Sequence, residues 1–238
     1  CSICHGNDGD GNGPLSNLIG IKPIDHTNPH LTDKLDNNTL AKHIIEGEGN
    51  YMPAWKDILS QDDINALVSY IRLLYQIWAK LEHGGYVIVL ATPTEESHAR
   101  ELLQDTSCSS SVNLSSAGEA RAVKISKLFK SRGVSIEKVV SSSHCLAAET
   151  AKRAFGEFET LNFLRTDPNL PESQAESNLA EMENFIGSYR GKDNLLILTD
   201  QANLDELSFE SIRKDNFLVL QPMGGAKYEE IGVYELNY

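Results

Sequence analysis

Residues 1–5 read CSICH, and together with NYMPAW at 50–55 this pentapeptide decides how the first part of the chain folds. Two thiols three positions apart lie on one helical turn, so Cys1 and Cys4 can each bond a vinyl group of one porphyrin while the imidazole of His5 turns onto the iron. With four Cys and seven His in the chain, a chance CxxCH arises on the order of once in five hundred. A redox dithiol or half of a zinc site is the competing reading, and it leaves His5 without a role. The expected cofactor is therefore haem c.

Met52 is the expected second axial ligand. A thioether is neutral, soft and polarizable, so it favours ferrous iron and raises the potential relative to a second imidazole. The chain has only three Met, and this one precedes Pro53, which restricts its backbone to an extended form and suits a loop strapped across one haem face. A Met that fills a core gap is the alternative. His43 in LAKHIIEGE, and His26 and His30 in the preceding loop, are rival ligands that each read as solvated or hydrogen-bonded histidines.

At 238 residues the chain exceeds a typical single domain, and two domains with separate cores are expected, at 1–81 and 82–238. Hydrophobic residues at 40% and aromatics at 7% are ordinary for a soluble globular protein, and no apolar run reaches membrane-spanning length. A net charge of −13, from 34 acidic and 21 basic residues, argues against nucleic acid or an anionic membrane surface as a partner. Such an excess can steer a basic redox partner, and it also serves solubility alone.

After CSICH, GNDGDGNGP (6–14) reads as a loop whose glycines permit positive dihedrals and close approach to a flat ligand. TLAKHIIEGEGN reads as a short amphipathic helix closed by Gly47 and Gly49. Ser60 caps a longer helix, SQDDINALVSYIRLLYQIWAK, with Asp63 where a capping box usually has Glu or Gln. Its Ile64, Leu67, Val68, Ile71, Leu74, Tyr75 and Trp78 form one apolar stripe. Only Leu81–Gly85 then separate this helix from an expected strand at Tyr86, a connection short enough to keep the two domains in or near contact, with Tyr75 and Trp78 either anchoring that contact or finishing the first core.

Taken together, CSICHGNDGDGNGP, EGEGNYMPAW and LSQDDINALVSYIRLL closely resemble a class I cytochrome c over essentially all of residues 1–75. The resemblance implies an all-α fold around haem, with Cys1 and Cys4 as attachment residues, His5 as proximal and Met52 as distal ligand. Both axial positions are then filled by protein, which leaves electron transfer as the simplest function. Because haem c is assembled on the outer side of an energised membrane, the resemblance implies a periplasmic or equivalent extracytoplasmic location and a signal peptide removed or left out. The helix that usually precedes CxxCH is missing before Cys1, so either residues precede it or the domain is abbreviated.

Past residue 85 the hydrophobic period changes. YVIVLA (86–91) is a continuous apolar strand, SSAGEARAVKISKLFKSRG a helix with Ser116 and Glu119 as a capping box and Gly133 at its end, and SIEKVVSSS (135–143) a second strand. HCLAAETAKRAFG and QAESNLAEMENFIGSYRG read as helices, NLLILTD as a buried strand, and NFLVLQP and EEIGVYEL as closing strands. The alternation gives a three-layer α/β domain with a mostly parallel sheet.

These segments resemble the histidine phosphatase superfamily, related to phosphoglycerate mutase, over nearly all of residues 85–238. Active members carry Arg-His-Gly after the first strand, an Arg in an SSxxxR segment and a second His in a Thr-His pair after a late strand. Here those positions hold Ala91-Thr92-Pro93, Leu146 and Thr199-Asp200. The phosphoryl-accepting imidazole and its clamps are replaced, and a carboxylate in the pocket repels phosphate. His98 and His144 read as surface residues away from the motif positions. Cys108 and Cys145 are a candidate disulfide, with two free thiols as the alternative.

The resemblances imply a single-haem electron-transfer protein, not an enzyme, whose phosphatase-like domain serves docking, assembly or haem shielding. Its partners would be a redox protein, a second copy or a larger complex. A haem-linked sensor is the alternative, with Thr92, Thr94, Asp200, Gln201, Gly224 and Gly225 around a remodelled ligand pocket. An active phosphatase under redox control would need replacement chemistry that the sequence does not offer.

Overall fold

In the computed structural model, which describes residues 1–6, 9–32, 34–92, 114–167, 169–208, 212 and 216–236, CSICH forms a single helical turn, α1 (Ser2–His5). The chain divides into two units, Cys1–Lys80 and Leu81–Tyr238. In the first unit, Pro14 at the N1 position starts α2 (Pro14–Ile19), which Gly20 ends in the left-handed conformation. A further turn is α3 (Pro29–Thr32). The sequence reading had no helix in these polar stretches, because segments this short carry no apolar period.

Helix α4 (Asn37–Glu46) starts at Asp36, whose side chain accepts from Thr39 N at 2.7 Å. Helix α5 (Gln61–His83) starts at the expected box: Ser60 N donates to Asp63 Oδ2 at 3.0 Å and Asp63 N to Ser60 Oγ at 3.2 Å. Hydrogen bonds from Ser60 hold the Asp63 carboxyl below its ordinary pKa. The helix runs three residues past the expected Lys80 and the strand begins at Val87, one residue after the expected Tyr86, so the connection is Gly84, Gly85 and Tyr86, with both glycines at positive φ. Leu40 and Ile44 of α4 and Ile64 and Val68 of α5 form the core of this unit, with Met52, Trp55 and Leu59 packed against it. Arg72 of α5 clamps the preceding loop: its guanidinium donates to Asn37 Oδ1 at 2.8 Å, to Thr32 O at 3.1 Å and to Leu35 O.

The second unit is built on one six-stranded sheet of order β3-β2-β4-β1-β5-β6. Its strands are β1 (Val87–Ala91), β2 (Ile136–Ser142), β3 (Glu159–Leu161), β4 (Asn194–Thr199), β5 (Asn216–Gly224) and β6 (Lys227–Glu235). Strands β3, β2, β4 and β1 run parallel, and the hairpin β5–β6 joins β1 antiparallel. The helices are α6 (Ser116–Ser131), α7 (Cys145–Phe155), α8 (Glu172–Gly187) and α9 (Gln201–Leu207).

Every residue of β1 and β4 is buried, so both sheet faces are covered. On one face Val87, Val89, Leu195, Ile197, Leu218 and Leu220 pack with Met182 and Ile186 of α8 and Leu204 and Leu207 of α9. On the other, Phe129 of α6 meets Phe217 edge-on at 5.8 Å and Phe155 of α7 at 6.5 Å. The expected three layers therefore form. The expected Ser116–Glu119 box does not. Ser115, extended at φ −62 and ψ 164, is the cap and accepts from Gly118 N at 3.1 Å. Of two adjacent serines the one outside the helix takes that role, and Glu119 pairs instead with Arg153 at 2.8 Å.

The sheet is pinned at one end by a buried amide. Asn194 donates from Nδ2 to Leu81 O at 2.6 Å and to Ser135 O at 2.9 Å, and its Oδ1 accepts from Tyr86 N at 3.2 Å. All its side-chain bonding capacity except one lone pair is used, at zero exposure. Asn194→Leu keeps the volume but strands Leu81 O and Tyr86 N, while Ser135 O still accepts from Asn194 N at 3.0 Å, and it should destabilise the second unit by about 2 kcal/mol or more in urea unfolding. An unchanged midpoint would show that water or a shifted backbone satisfies those groups.

Candidate functional site

In the first unit, Cys4 N and His5 N both donate to Cys1 O, at 3.0 and 2.9 Å, which closes the turn that carries all three side chains. Cys1 and Cys4 are free thiols, one exposed and one half-buried. The glycine loop folds back on this turn: Gly11 N donates to His5 O at 2.8 Å and Gly13 N to Cys4 O at 3.0 Å. Asn12 is held by Asp10, through Asn12 N to Oδ1 at 2.9 Å and Nδ2 to Oδ2 at 2.7 Å. A Cβ on Gly13 would lie 2.4 Å from Ile3 O, and one on Gly11 2.6 Å from Pro23 O. Glycine is thus needed here for approach to the chain's own backbone, where the sequence suggested approach to a flat ligand.

The imidazoles of His5 and His26 stack with centroids 5.4 Å apart and planes 25° from parallel. Burial lowers the pKa of both, that of His26 to about 4 with a further contribution from His5. Nδ1 of each ring is buried with no hydrogen-bond partner. His26 was expected to be solvated or hydrogen-bonded, and it is neither at its ring Nδ1; the residue is 8% exposed. His43 is half-exposed beside Glu48 at 3.3 Å, and His30 is exposed.

Met52 forms an isolated antiparallel bridge with Glu48, through Glu48 N to Met52 O at 3.0 Å and Met52 N to Glu48 O at 3.2 Å. Half-buried, it rests on the core of α4 and α5. Gly47 at φ +75 ends α4 and lets the chain turn there, and a Cβ on it would meet Met52 O at 2.4 Å and Ala54 N at 2.8 Å.

The second unit brings the former motif positions to the C-terminal ends of its parallel strands, where ligand sites of open α/β sheets lie. Ala91 is buried at the end of β1. Thr92 donates from N and Oγ1 to Thr199 O, at 2.9 and 3.2 Å, so its hydroxyl is engaged. Thr199 Oγ1 donates to Leu164 O at 2.8 Å, and Asn203 Nδ2 supports both, at 2.8 Å to Leu164 O and 2.7 Å to Thr199 Oγ1. Leu146 is half-buried in the first turn of α7.

Asp200 Oδ2 accepts from Thr166 N and Thr166 Oγ1, each at 3.0 Å, and lies 3.5 Å from His144 Nε2. His144 Nε2 also lies 2.9 Å from Thr166 O, and facing two acceptors it carries the proton. This corrects the reading of His144 as a surface residue: it is 5% exposed, because it stands two residues past β2 at the N-cap of α7, inside the fold. Thr166, which no local motif marks, joins the pair from the segment after β3. Gln201 Oε1, next along from Asp200, is buried without a hydrogen-bond partner.

Cys145 is buried and disulfide-bonded. Pro93, Thr94, His98 and Cys108 lie outside the described residues, and so does the expected Cys108–Cys145 pairing. A cleft of about 420 Å³ lies elsewhere, lined by residues that include Lys138, Phe163, Phe185, Tyr189 and Arg190 and none of the expected pocket set.

Residues 1–71 match the family described as cytochrome c oxidase, cbb3-type, subunit III. No curated protein matches the chain. Among solved structures, the chain is similar to the protein histidine phosphatase SixA complexed with tungstate, at 15% identity over 63% of this chain and 97% of that one, TM-score 0.44. It is similar to a phosphohistidine phosphatase SixA of Agrobacterium tumefaciens, titled putative, at 15% over 63% and 97%, TM-score 0.39. A phosphoglycerate mutase of Plasmodium falciparum follows at 13% over 64% and 94%, TM-score 0.36. A region matching a cytochrome c-type family model is thus followed in the chain by an α/β unit.

Gly47→Ala forces a side chain into a positive φ and into the backbone beside Met52. We expect a loss of about 2 kcal/mol or more in thermal unfolding of the first unit. An unaltered midpoint would mean that the Met52 loop is not fixed by this bend.

Proposed function

We propose that this is a single-haem electron-transfer protein, with haem c on Cys1 and Cys4 and iron held by His5 and Met52. The observation that carries the reading is the CSICH turn, which offers two free thiols and the next residue's imidazole within the region matching a cytochrome c-type family. These groups fit haem c in kind: thiols for thioether bonds, an imidazole and a thioether for low-spin iron. The unit also leaves Ile3, Leu18, Ile19, Leu31, Ile58 and Leu73 exposed, apolar surface of the sort that a porphyrin covers. When bound, the haem supplies a one-electron couple.

What this chain's residues do is hold and insulate. The turn fixes the thiols and His5 together, the Glu48–Met52 bridge and Gly47 fix the thioether loop against α4, and Arg72 locks the loop between them. With His5 and Met52 both holding the iron, the group would have no open position for substrate and would supply electron transfer alone. The second domain is read as catalytically inactive and as a docking, assembly or shielding module, because Asp200 sits bonded to Thr166 and His144 where phosphate would need cationic or donor groups. Haem c assembly places the protein in the periplasm or an equivalent compartment, where a Cys108–Cys145 bridge would persist.

Expression with a cytochrome c maturation system should give covalent haem by mass and absorption spectrum. Cys1→Ala with Cys4→Ala should abolish it, and Met52→Ala should keep it while lowering the midpoint potential. Wild-type chain without haem, or phosphatase turnover of an aryl phosphate, would sink the corresponding half of the reading.

One observation favours the sensor reading: the orphaned Gln201 Oε1 beside Asp200 is an acceptor awaiting a donor. A small ligand bearing N–H or O–H groups, screened by thermal shift, should then raise the melting temperature of the wild type and not of Gln201→Leu. Equal responses of both chains, or none, would remove this reading.

A further inference from the structure

His26 is held more firmly than a loop histidine needs to be. Its N donates to Gly9 O at 2.8 Å, and its carbonyl accepts from the buried Thr32 Oγ1 at 3.1 Å. Thr32 O in turn accepts from Arg72, at 3.1 Å, so the segment is tied to α5. On its other side Asp25 Oδ1 binds Thr27 N at 2.9 Å and the Thr27 hydroxyl. All this backbone fixing serves to keep one imidazole buried against His5, with centroids at 5.4 Å and planes at 25°.

A histidine that ligates a metal ordinarily gives its second ring nitrogen to a carbonyl, carboxylate or water, and that bond fixes the ring about the metal–nitrogen axis. His5 Nδ1 has no such partner among the described residues. What limits rotation of the His5 ring is the flat face of His26. We propose that His26 is a positioning residue for His5, setting the plane of the proximal imidazole by stacking where a hydrogen bond would ordinarily do so. The role rests on the haem reading above. It is not that of a rival ligand: a metal lies in the plane of an imidazole, and two stacked rings direct their in-plane lone pairs side by side instead of toward one another across an iron.

The full chain, matured with haem, tests this with His26→Phe and His26→Leu. Haem content comes first, from mass and the pyridine haemochrome spectrum. A wild-type chain without haem refutes the proposed function, and this role with it. With haem in place, the phenyl ring should preserve the low-spin ferric electron paramagnetic resonance g values. The leucine should broaden and shift them and displace the midpoint potential, at unchanged haem content. Leucine g values and potential identical to wild type would overturn the proposal. If the leucine variant does not fold, the wild type decides by itself: a nuclear Overhauser contact between the His5 and His26 rings in the reduced protein supports stacking, and its absence refutes it.

Discussion

One buried amide sets the frame on which the second unit is built. Asn194 opens β4, and its side chain bonds three backbone groups, Leu81 O, Tyr86 N and Ser135 O, the last of which also accepts from Asn194 N. Tyr86 and Ser135 stand immediately before β1 and β2, so one side chain fixes where both neighbours of β4 begin. A parallel sheet needs such a device, because its strands arrive through long crossovers with no tight turn to set register. From there the apolar residues of β1 and β4 impose the alternation that sorts the helices to the two faces.

The far end of β4 is treated differently. Thr199 O and Asp200 Oδ2 are also engaged, but by groups that arrive after β1, β2 and β3: Thr92, His144 and Thr166. In an open α/β sheet this is where a ligand would find unspent donors. Here, among the described residues, Thr92, Thr166 and Asn203 donate to the protein's own carboxylate, hydroxyl and carbonyls. The first unit differs, with an exposed thiol at Cys1 and buried Nδ1 atoms of His5 and His26 that have no hydrogen-bond partner.

Much of this was legible in the residues. CSICH, the Met-Pro loop and the Ser60–Asp63 box announce themselves by chemistry at fixed spacing, and the continuous apolar runs of β1 and β4 announce a doubly covered sheet. What was not legible depended on long-range geometry. His144 looks solvent-bound in SSSHC because nothing local shows that the chain just past β2 turns this side chain inward to meet Asp200, more than fifty positions away. His26 sits in a polar stretch, and only the folded loop puts it against His5. Ser115 and Ser116 offer the same hydroxyl, and which one caps is decided by where the helix dihedrals begin. The short helices α2 and α3 lack a period to detect.

The loop behind the CSICH turn also bears on how the protein ages. Asn12 followed by Gly13 is the dipeptide most prone to deamidate, because an unhindered glycine nitrogen can attack the neighbouring amide. In the fold that nitrogen donates to Cys4 O and the amide of Asn12 is held by Asp10. Both bonds must break before the ring can close, so the lifetime of this asparagine is tied to the lifetime of the folded turn. Once converted, an aspartate at this position would stand against Asp10 and push the loop away from Cys4. Chemical damage here would follow local opening and then make it permanent.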